Sequence, residues 1–308
     1  MRSAAERKQI VQDAVLRTNA RRKLIDRVVT WATVGCVALA LIPLGSIMFE
    51  VVKNGAPALS AEFLTQPQGS IVRGGGGIGP AIQGTLIVVA FASLIAVPVG
   101  VLGGIYLSEY AVGGRFAYFV RFFNNVMTGL PSIVVGIVGY IILVLTVGSF
   151  NVTAGAVALS IIMIPIVLGV TEETMKLVPN SVREAGHSLG IPKWKVTMFI
   201  TLTSAKNGVI TGIVLGISRI AGETAPLIMT ILGTSLFFQG FFGPVDAIPL
   251  RVWRLSAQPY EASHQFAWGG ALVLILMVLS LSIALRYLVL EKKFNFKQLG
   301  NEVGKTQK

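Results

Sequence analysis

Long apolar stretches separated by short charged loops dominate the hydropathy pattern of this chain. A helix needs roughly 20 apolar residues to cross the hydrocarbon core of a bilayer, and several stretches reach that length without a charged residue. The uncharged run 122–171 is too long for one crossing, and the turn-forming residues 148–151 divide it into a helical hairpin. The pattern predicts six spans, at 28–49, 80–107, 126–147, 152–170, 207–231 and 268–290. Pro131 predicts a kink in the third, because proline removes a backbone hydrogen bond.

Composition supports an all-α, polytopic membrane protein. Of the 308 residues, 53% are hydrophobic and 13% are charged, which is too apolar for an ordinary water-soluble globule. The first span is longer than the apolar region of a cleavable signal sequence and follows a charged tail, so we expect it to stay in the protein. The predicted organisation is a tail at 1–27, a first helix at 28–49, a membrane core at 80–290 and a second tail at 291–308.

Basic residues are distributed unevenly between the two sets of loops. The tails and the loops 109–121 and 172–206 hold most of the 26 Lys and Arg residues. Because positively charged loops stay on the cytoplasmic side of a membrane, both termini are expected in the cytoplasm. The formal net charge of +12 requires no nucleic acid partner, since topology and attraction to anionic membrane lipid account for it. The opposite loops hold Lys53, Arg73, Arg251 and Arg254.

The sequence contains no arrangement of residues that is typical of an enzyme. Its one cysteine, Cys36, lies inside the first span, and its two histidines, His187 and His264, are expected on opposite sides of the membrane. The tail segment 300–306 is similar to a phosphate-binding loop, but it has three residues between its glycines where that motif has four. We therefore expect no cofactor, no metal and no catalytic residue.

The fifth predicted span contains two charged residues, Arg219 and Glu223. A charge at the centre of a membrane helix costs about 2.5–3.5 kcal/mol, so such residues usually face the protein interior and line a substrate route. A guanidinium is always charged and can bind an oxyanion through two parallel hydrogen bonds. The pair therefore favours a path for an anion, with a self-neutralising structural ion pair as the alternative.

Glycines precede this pair at helical spacing. Steps of three or four residues place the three glycines and the two charged residues within an arc of about 80° on one face of a continuous helix. Small residues let two membrane helices approach closely, so we expect the glycines to pack against a neighbouring helix and the charged pair to be buried there. The stripe consists of Gly208, Gly212, Gly216, Arg219 and Glu223.

A polar loop at 181–203 lies between the fourth and fifth spans. Ser181 followed three residues later by Glu184 predicts a capping box that begins a short helix. Gly190 is suited to the left-handed stop of that helix, and Pro192 to the first turn of a second one. Such an element offers a docking surface to a partner. Its charged side is predicted to consist of Arg183, Glu184, Lys193 and Lys195.

The spacing of this loop resembles the EAA loop of ABC importer permeases. The matching positions are Glu184, Ala185, Gly186, Gly190, Ile200 and Leu202. Two positions depart from the family pattern, because Gly186 replaces the second alanine and Thr203 replaces a proline. We therefore expect a looser first helix at Gly186 and a second helix that runs on towards the next span.

Further segments are similar to the permease subunits of phosphate ABC importers, the PstA-like family. These segments lie at 77–86, 129–136, 218–228 and 258–268. The resemblance implies a type I importer core of the MetI kind, a phosphate route that includes Arg219 and Glu223, and no ATP hydrolysis by this chain. It also implies three partners, namely an ATP-binding subunit docked on the loop 181–203, a second homologous permease subunit and an external phosphate-binding protein.

Two alternatives stay open from the residues alone. A permease for another oxyanion, such as sulfate, molybdate or phosphonate, would also use an arginine in its path. A secondary transporter driven by ions would use Glu223 as a proton carrier and would need no ATP-binding subunit. The two alternatives differ from a phosphate importer in selectivity and in energy coupling, respectively.

Overall fold

The computed structural model describes residues 4–69, 76–111 and 113–290, with side chains from 22 to 287 within these ranges. The predicted tail at 291–308, including the segment 300–306, lies outside the described residues. The helices are α1 Ala4–Gly55, α2 Ala61–Thr65, α3 Gly79–Ile105, α4 Arg115–Gly129, α5 Ser132–Gly139, α6 Leu145–Val147, α7 Val152–Lys176, α8 Asn180–Ser188, α9 Lys193–Lys195, α10 Leu202–Ala221, α11 Ala225–Thr230, α12 Ile248–Ser256 and α13 Glu261–Leu290.

Short π-helical turns connect or extend several of these helices. The turn Tyr106–Tyr110 continues α3, the turn Tyr140–Val144 joins α5 to α6, and the turn Val196–Thr201 joins α9 to α10. A π turn holds one extra residue in its hydrogen-bonded ring, and such turns are frequent at functional sites. The stretch Lys193–Ala221 is therefore one uninterrupted helical rod.

The chain divides into two units, 1–53 and 54–308. In the first unit, α1 is a single long helix whose apolar part contains the predicted first span, 28–49. The side chains of Trp31 and Leu39 are exposed on this helix, as expected for residues that face lipid.

Within the described residues, five helices are long and apolar enough to cross a membrane, and one bent pair forms a sixth span if it is counted as one. The bent pair is α4 and α5, which meet at an angle of 103°. The predicted third span, 126–147, is therefore two helices, and the break between them lies at Pro131, where the kink was expected. Pro131 has no N–H and disfavours helical geometry at Leu130, so both residues adopt extended ψ angles.

Helices α3 and α7 pack along each other at the centre of the second unit. An added Cβ at Gly100 would lie 2.8 Å from the Cβ of Val167, and one at Gly104 would lie 2.6 Å from that of Thr171. This close approach depends on the missing side chains of α3, as is usual for helices packed in membranes. The buried cluster around Leu159 also includes residues of α10 and α12.

Residues near the start of α3 contact the segment that leads into α12. The N–H of Ile248 donates to Oγ1 of Thr85 at 2.8 Å, and both residues are buried. Gly84 lies directly against the backbone of Asp246. The Gly84-Thr85 pair therefore positions a buried non-helical segment.

Replacing Gly84 with Ala is expected to destabilise the folded chain by about 1–3 kcal/mol or more. The added Cβ would lie 2.0 Å from the carbonyl oxygen of Asp246, a backbone atom that can move only with its whole segment. Chemical unfolding of the purified protein in detergent measures the loss. Gly35→Ala is the matched control, because its Cβ would have nothing within 4 Å. Equal stability of the two variants would contradict this account of the packing.

Candidate functional site

The fifth predicted span is interrupted near its two charged residues. Helix α10 ends at Ala221 with Gly222 at its C-cap, and α11 begins at Ala225. Pro226 lies in the first turn of α11, where a helix does not use the N–H that proline lacks. The predicted span 207–231 is therefore two helices, and the break lies at Gly222 and Pro226, the two residues that favour a bend there.

Arg219 lies in the last turn of α10, and Glu223 lies in the break that follows. The Nε atom of Arg219 is 3.7 Å from Oε1 of Glu223, and this distance is too long for a hydrogen bond. The Arg219 side chain is 53% exposed and that of Glu223 is 19% exposed, so packing within this chain does not bury Arg219 as predicted. Within the described part of the chain, the Arg219 guanidinium makes no hydrogen bond, and its donors are available to an anion.

The glycines of the predicted stripe face a different neighbour from Arg219. Gly208, Gly212 and Gly216 lie against α7, where an added Cβ on any of them would be 3.1 Å or less from a side-chain atom. At Gly208 that distance is 2.1 Å, to Cγ2 of Thr174. The glycines therefore allow α10 to pack closely against α7, and Arg219, in the last turn of α10, lies outside this contact.

Two interrupted spans meet beside Arg219. Helix α5, which follows the break at Pro131, packs against α11, which follows the break at Glu223. An added Cβ at Gly136 would lie 2.7 Å from the Cα of Pro226, so the two helices touch at their backbones. Discontinuous membrane helices of this kind line the substrate sites of many transporters. The charged pair thus lies at the end of α10 and in the break that leads into this junction.

The first helix of the polar loop begins earlier than predicted. Helix α8 starts at Asn180 with Pro179 at its N-cap, and no side chain caps it, so the predicted capping box of Ser181 and Glu184 is wrong. Pro179 has the extended ψ angle of an N-cap and leaves Ser181 already inside the helix. Gly190 has φ +71°, which confirms the predicted left-handed stop.

The second helix of the loop runs on into the membrane. Pro192 is the N-cap of α9, one position before the predicted first turn. From Lys193 the helix continues through the π turn into α10, which confirms the expected run-on.

Gly186 lies inside α8, which is continuous there, and faces the second helix. The residue is buried, and an added Cβ would lie 2.9 Å from Cγ2 of Val196 and 3.1 Å from Cδ1 of Ile200. The glycine therefore lets α8 pack closely on the π turn of the second helix. Glu184 and Ala185, by contrast, are exposed on the outer side of α8.

Arg183 does not belong to the charged outer side of the loop. Its guanidinium turns inward and binds the carboxylate of Glu109, with Nη2 to Oε1 at 2.8 Å. The outer charges are therefore Glu184, Lys193 and Lys195, all exposed. Sequence reasoning missed Glu109, although an acidic residue directly after an apolar span was a usable signal.

A second missed pair joins the segment before α12 to that helix. Asp246 and Arg251 are both buried and form a hydrogen-bonded ion pair, while Nη2 of Arg251 also donates to the carbonyl of Thr234 at 2.9 Å. Burial raises the pKa of the Asp246 carboxyl, and the Arg251 guanidinium acts against that rise. The Oδ1 atom of Asp246 has no hydrogen-bond partner among the described residues. From its position in the sequence, Arg251 is expected to be only a loop charge, whereas the structure buries it in α12.

The backbone beside this pair is strained. Leu232 has φ +61° and Gly233 has φ +77°, and only the glycine adopts such an angle without a steric cost. The Gly233 backbone faces both Oδ1 of Asp246 and Nη1 of Arg254. The ion pair thus fixes a turn that returns the chain from α11 towards α12.

Comparison with solved structures shows the class of fold. A structure of the MetNI methionine ABC transporter in an inward-facing conformation aligns with a TM-score of 0.55 at 18% identity, covering 71% of this chain and 94% of that chain. A second crystal form of the same transporter aligns with a TM-score of 0.54 at 16% identity. The fold is thus that of a multi-pass, all-α permease core of the MetI type, as predicted.

Sequence comparison gives the family. Residues 96–293 match the family described as binding-protein-dependent transport system inner membrane component. The phosphate transport system permease protein PstA of Yersinia pestis is 35% identical over 91% of this chain and 97% of its own length, and that of Pasteurella multocida is 39% identical over 86% and 94%. The chain belongs to this family of ABC importer permeases and is a multi-pass inner-membrane protein.

Proposed function

We propose that this chain is a permease subunit of an ATP-driven importer of inorganic phosphate. The observation that carries the proposal is the exposed Arg219 guanidinium at the junction of two interrupted spans, with its donors unused among the described residues. A planar guanidinium matches two oxygens of an oxyanion. The names of the relatives given above support phosphate as that oxyanion.

Glu223 contributes to selectivity and release in this proposal. Its carboxylate lies 3.7 Å from Arg219 and partly offsets the positive charge, so a bound anion is held weakly enough to leave. Phosphate at neutral pH keeps an O–H group, which can donate to a carboxylate, whereas sulfate has none. The pair therefore favours phosphate over a fully deprotonated oxyanion.

The proposed assembly contains three further proteins. An ATP-binding subunit docks on the loop 181–203 through the exposed side of α8, a second homologous permease completes the path, and an external binding protein delivers phosphate. Both termini and the docking loop lie in the cytoplasm in this arrangement, in agreement with the excess of basic residues there. In this assembly, this chain lines the phosphate path, and the ATP-binding subunit hydrolyses ATP.

Reconstitution of the complete assembly in liposomes tests the proposal. Phosphate uptake should require both ATP and the ATP-binding subunit, and excess sulfate, molybdate or phosphonate should not compete with phosphate. Uptake that persists without ATP would identify an ion-coupled transporter instead. Strong competition by another oxyanion would assign the chain to a different substrate.

Replacing Glu184 with Lys is expected to weaken the docking of the ATP-binding subunit. Glu184 is exposed on α8, so the change inverts a charge on the proposed docking face without removing a packing contact. A close pair of opposite charges at a docking interface contributes about 1.5 kcal/mol or more, so copurification should fall by about tenfold. Glu173→Gln, an exposed carboxylate on α7, is the control. Unchanged copurification of Glu184→Lys would argue against this docking face.

A further inference from the structure

The π turn Tyr106–Tyr110 at the end of α3 is contacted by three other elements. Its Glu109 side chain binds Arg183 of α8, its Tyr110 ring lies under the ammonium group of Lys193 of α9, and its Leu107 carbonyl accepts from Arg121 of α4. Both helices of the docking loop are therefore attached to the same turn.

The contact with α8 is a largely buried ion pair in which two donors of Arg183 reach the same carboxylate oxygen. Arg183 donates to Oε1 of Glu109 from Nη2 at 2.8 Å and from Nε at 3.0 Å. The two side chains are 18% and 7% exposed. The same guanidinium donates to the carbonyl of Met175, near the end of α7, at 2.8 Å. Because a guanidinium is planar and rigid, this set of bonds fixes α8 to both α3 and α7.

The contact with α9 is of a different kind. The Nζ atom of Lys193 lies 4.8 Å from the centre of the Tyr110 ring, within the range of a cation–π interaction. Lys193 is the first residue of the helical rod that continues into α10. The π turn therefore touches the start of the rod that carries the proposed phosphate-binding arginine.

A third contact attaches the π turn to α4 and α7. Arg121 donates from Nη2 to the carbonyl of Leu107 at 3.0 Å and from Nε to Oε1 of Glu172 at 2.7 Å. Glu172 also accepts from Lys176 at 2.6 Å. This arrangement attaches the π turn to α4 and, through Glu172, to α7.

We propose that the π turn Tyr106–Tyr110 transmits movement of the docking loop to the membrane helices, with Glu109 and Tyr110 as positioning residues. The inference rests on the proposed function. A displacement of α8 moves α3 through the contacts that join the docking loop to the end of α3. Among the described residues these include the ion pair of Arg183 with Glu109, the contact of Lys193 with Tyr110 and the apolar cluster that contains Val182 and Ile105. Loss of either polar contact loosens this connection, so ATP hydrolysis continues while uptake per ATP falls.

The test uses the complete assembly in liposomes and measures phosphate uptake and ATP hydrolysis in the same preparation. Glu109→Gln keeps the shape of the side chain and removes its charge. We expect uptake per ATP hydrolysed to fall by about tenfold, a typical size for coupling between two sites. The ATP-binding subunit should copurify at the wild-type level, because the exposed face of α8 is unchanged. Glu173→Gln on α7 is the control and should couple normally.

A second pair of variants keeps the test decisive if Glu109→Gln fails to assemble. Tyr110→Leu removes the aromatic face and should uncouple hydrolysis from uptake, whereas Tyr110→Phe retains that face and should restore coupling. A merely structural role would lower both activities in proportion, and that result overturns the inference. So does normal coupling in both Glu109→Gln and Tyr110→Leu. If the wild-type assembly shows no ATP-dependent phosphate uptake, the proposed function itself fails.

Discussion

Phosphate uptake by an assembly that contains Arg219→Gln is expected to fall at least about a hundredfold. Two hydrogen bonds from a charged donor contribute roughly 1.5–3 kcal/mol each, and glutamine can offer only neutral ones. The assembly should still form, because the Arg219 side chain is more than half exposed and bonds to no other group among the described residues. The measurement is uptake into liposomes, accompanied by copurification of the subunits.

Two further variants separate the effect of the charge of Arg219 from that of its planar guanidinium and from a general loss of positive charge. Arg219→Lys keeps the charge but loses the planar fork, so we expect intermediate uptake. Arg286→Gln serves as the control for loss of one positive charge. Arg286 is exposed and lies near the C-terminal end of α13. Normal uptake by Arg219→Gln would remove this residue from the phosphate route and leave a structural ion pair with Glu223 as its role.

The second large effect concerns stability. Replacing Asp246 with Ala is expected to cost about 3–5 kcal/mol of unfolding free energy, because it leaves the buried Arg251 guanidinium without its counter-ion. The loss should be large for a single substitution, since the pair also holds the strained turn at Leu232 and Gly233. Chemical unfolding in detergent micelles measures it.

A double variant separates the charge from the packing. A buried pair replaced as a whole by apolar residues of similar volume is often tolerated, so Asp246→Leu combined with Arg251→Met should recover much of the stability. The remaining deficit reports the bond from Arg251 to Thr234, which the double variant also loses. Wild-type stability in Asp246→Ala would show that the buried pair does not hold this segment.

Features that depend on residues close together in the sequence were predictable. The apolar spans follow from hydropathy, because the cost of placing a segment in lipid is a local sum over its side chains. The left-handed turn at Gly190 and the break at Pro131 follow from the backbone of single residues. The charged pair in the fifth span was recognisable because a charge in an apolar segment is costly wherever the segment lies.

Features that depend on contacts between distant segments were not predictable. Helical periodicity assigned Arg219 to the glycine face, but the helix ends two residues later and the side chain is exposed. The same limit applies to the loop, where Gly186 was expected to loosen a helix that it in fact lets pack closely on Val196.

The sequence by itself thus determined a multi-pass permease with a charged fifth span and a polar loop before it, since hydropathy and local backbone preferences depend on neighbouring residues. Only the tertiary structure decided which charges face each other. Arg183 and Glu109 are far apart along the chain, and their contact exists because α3 packs along α7 and brings the ends of those helices together. Gly84 and Asp246 are also far apart, and they meet because the segment before α12 lies against the start of α3.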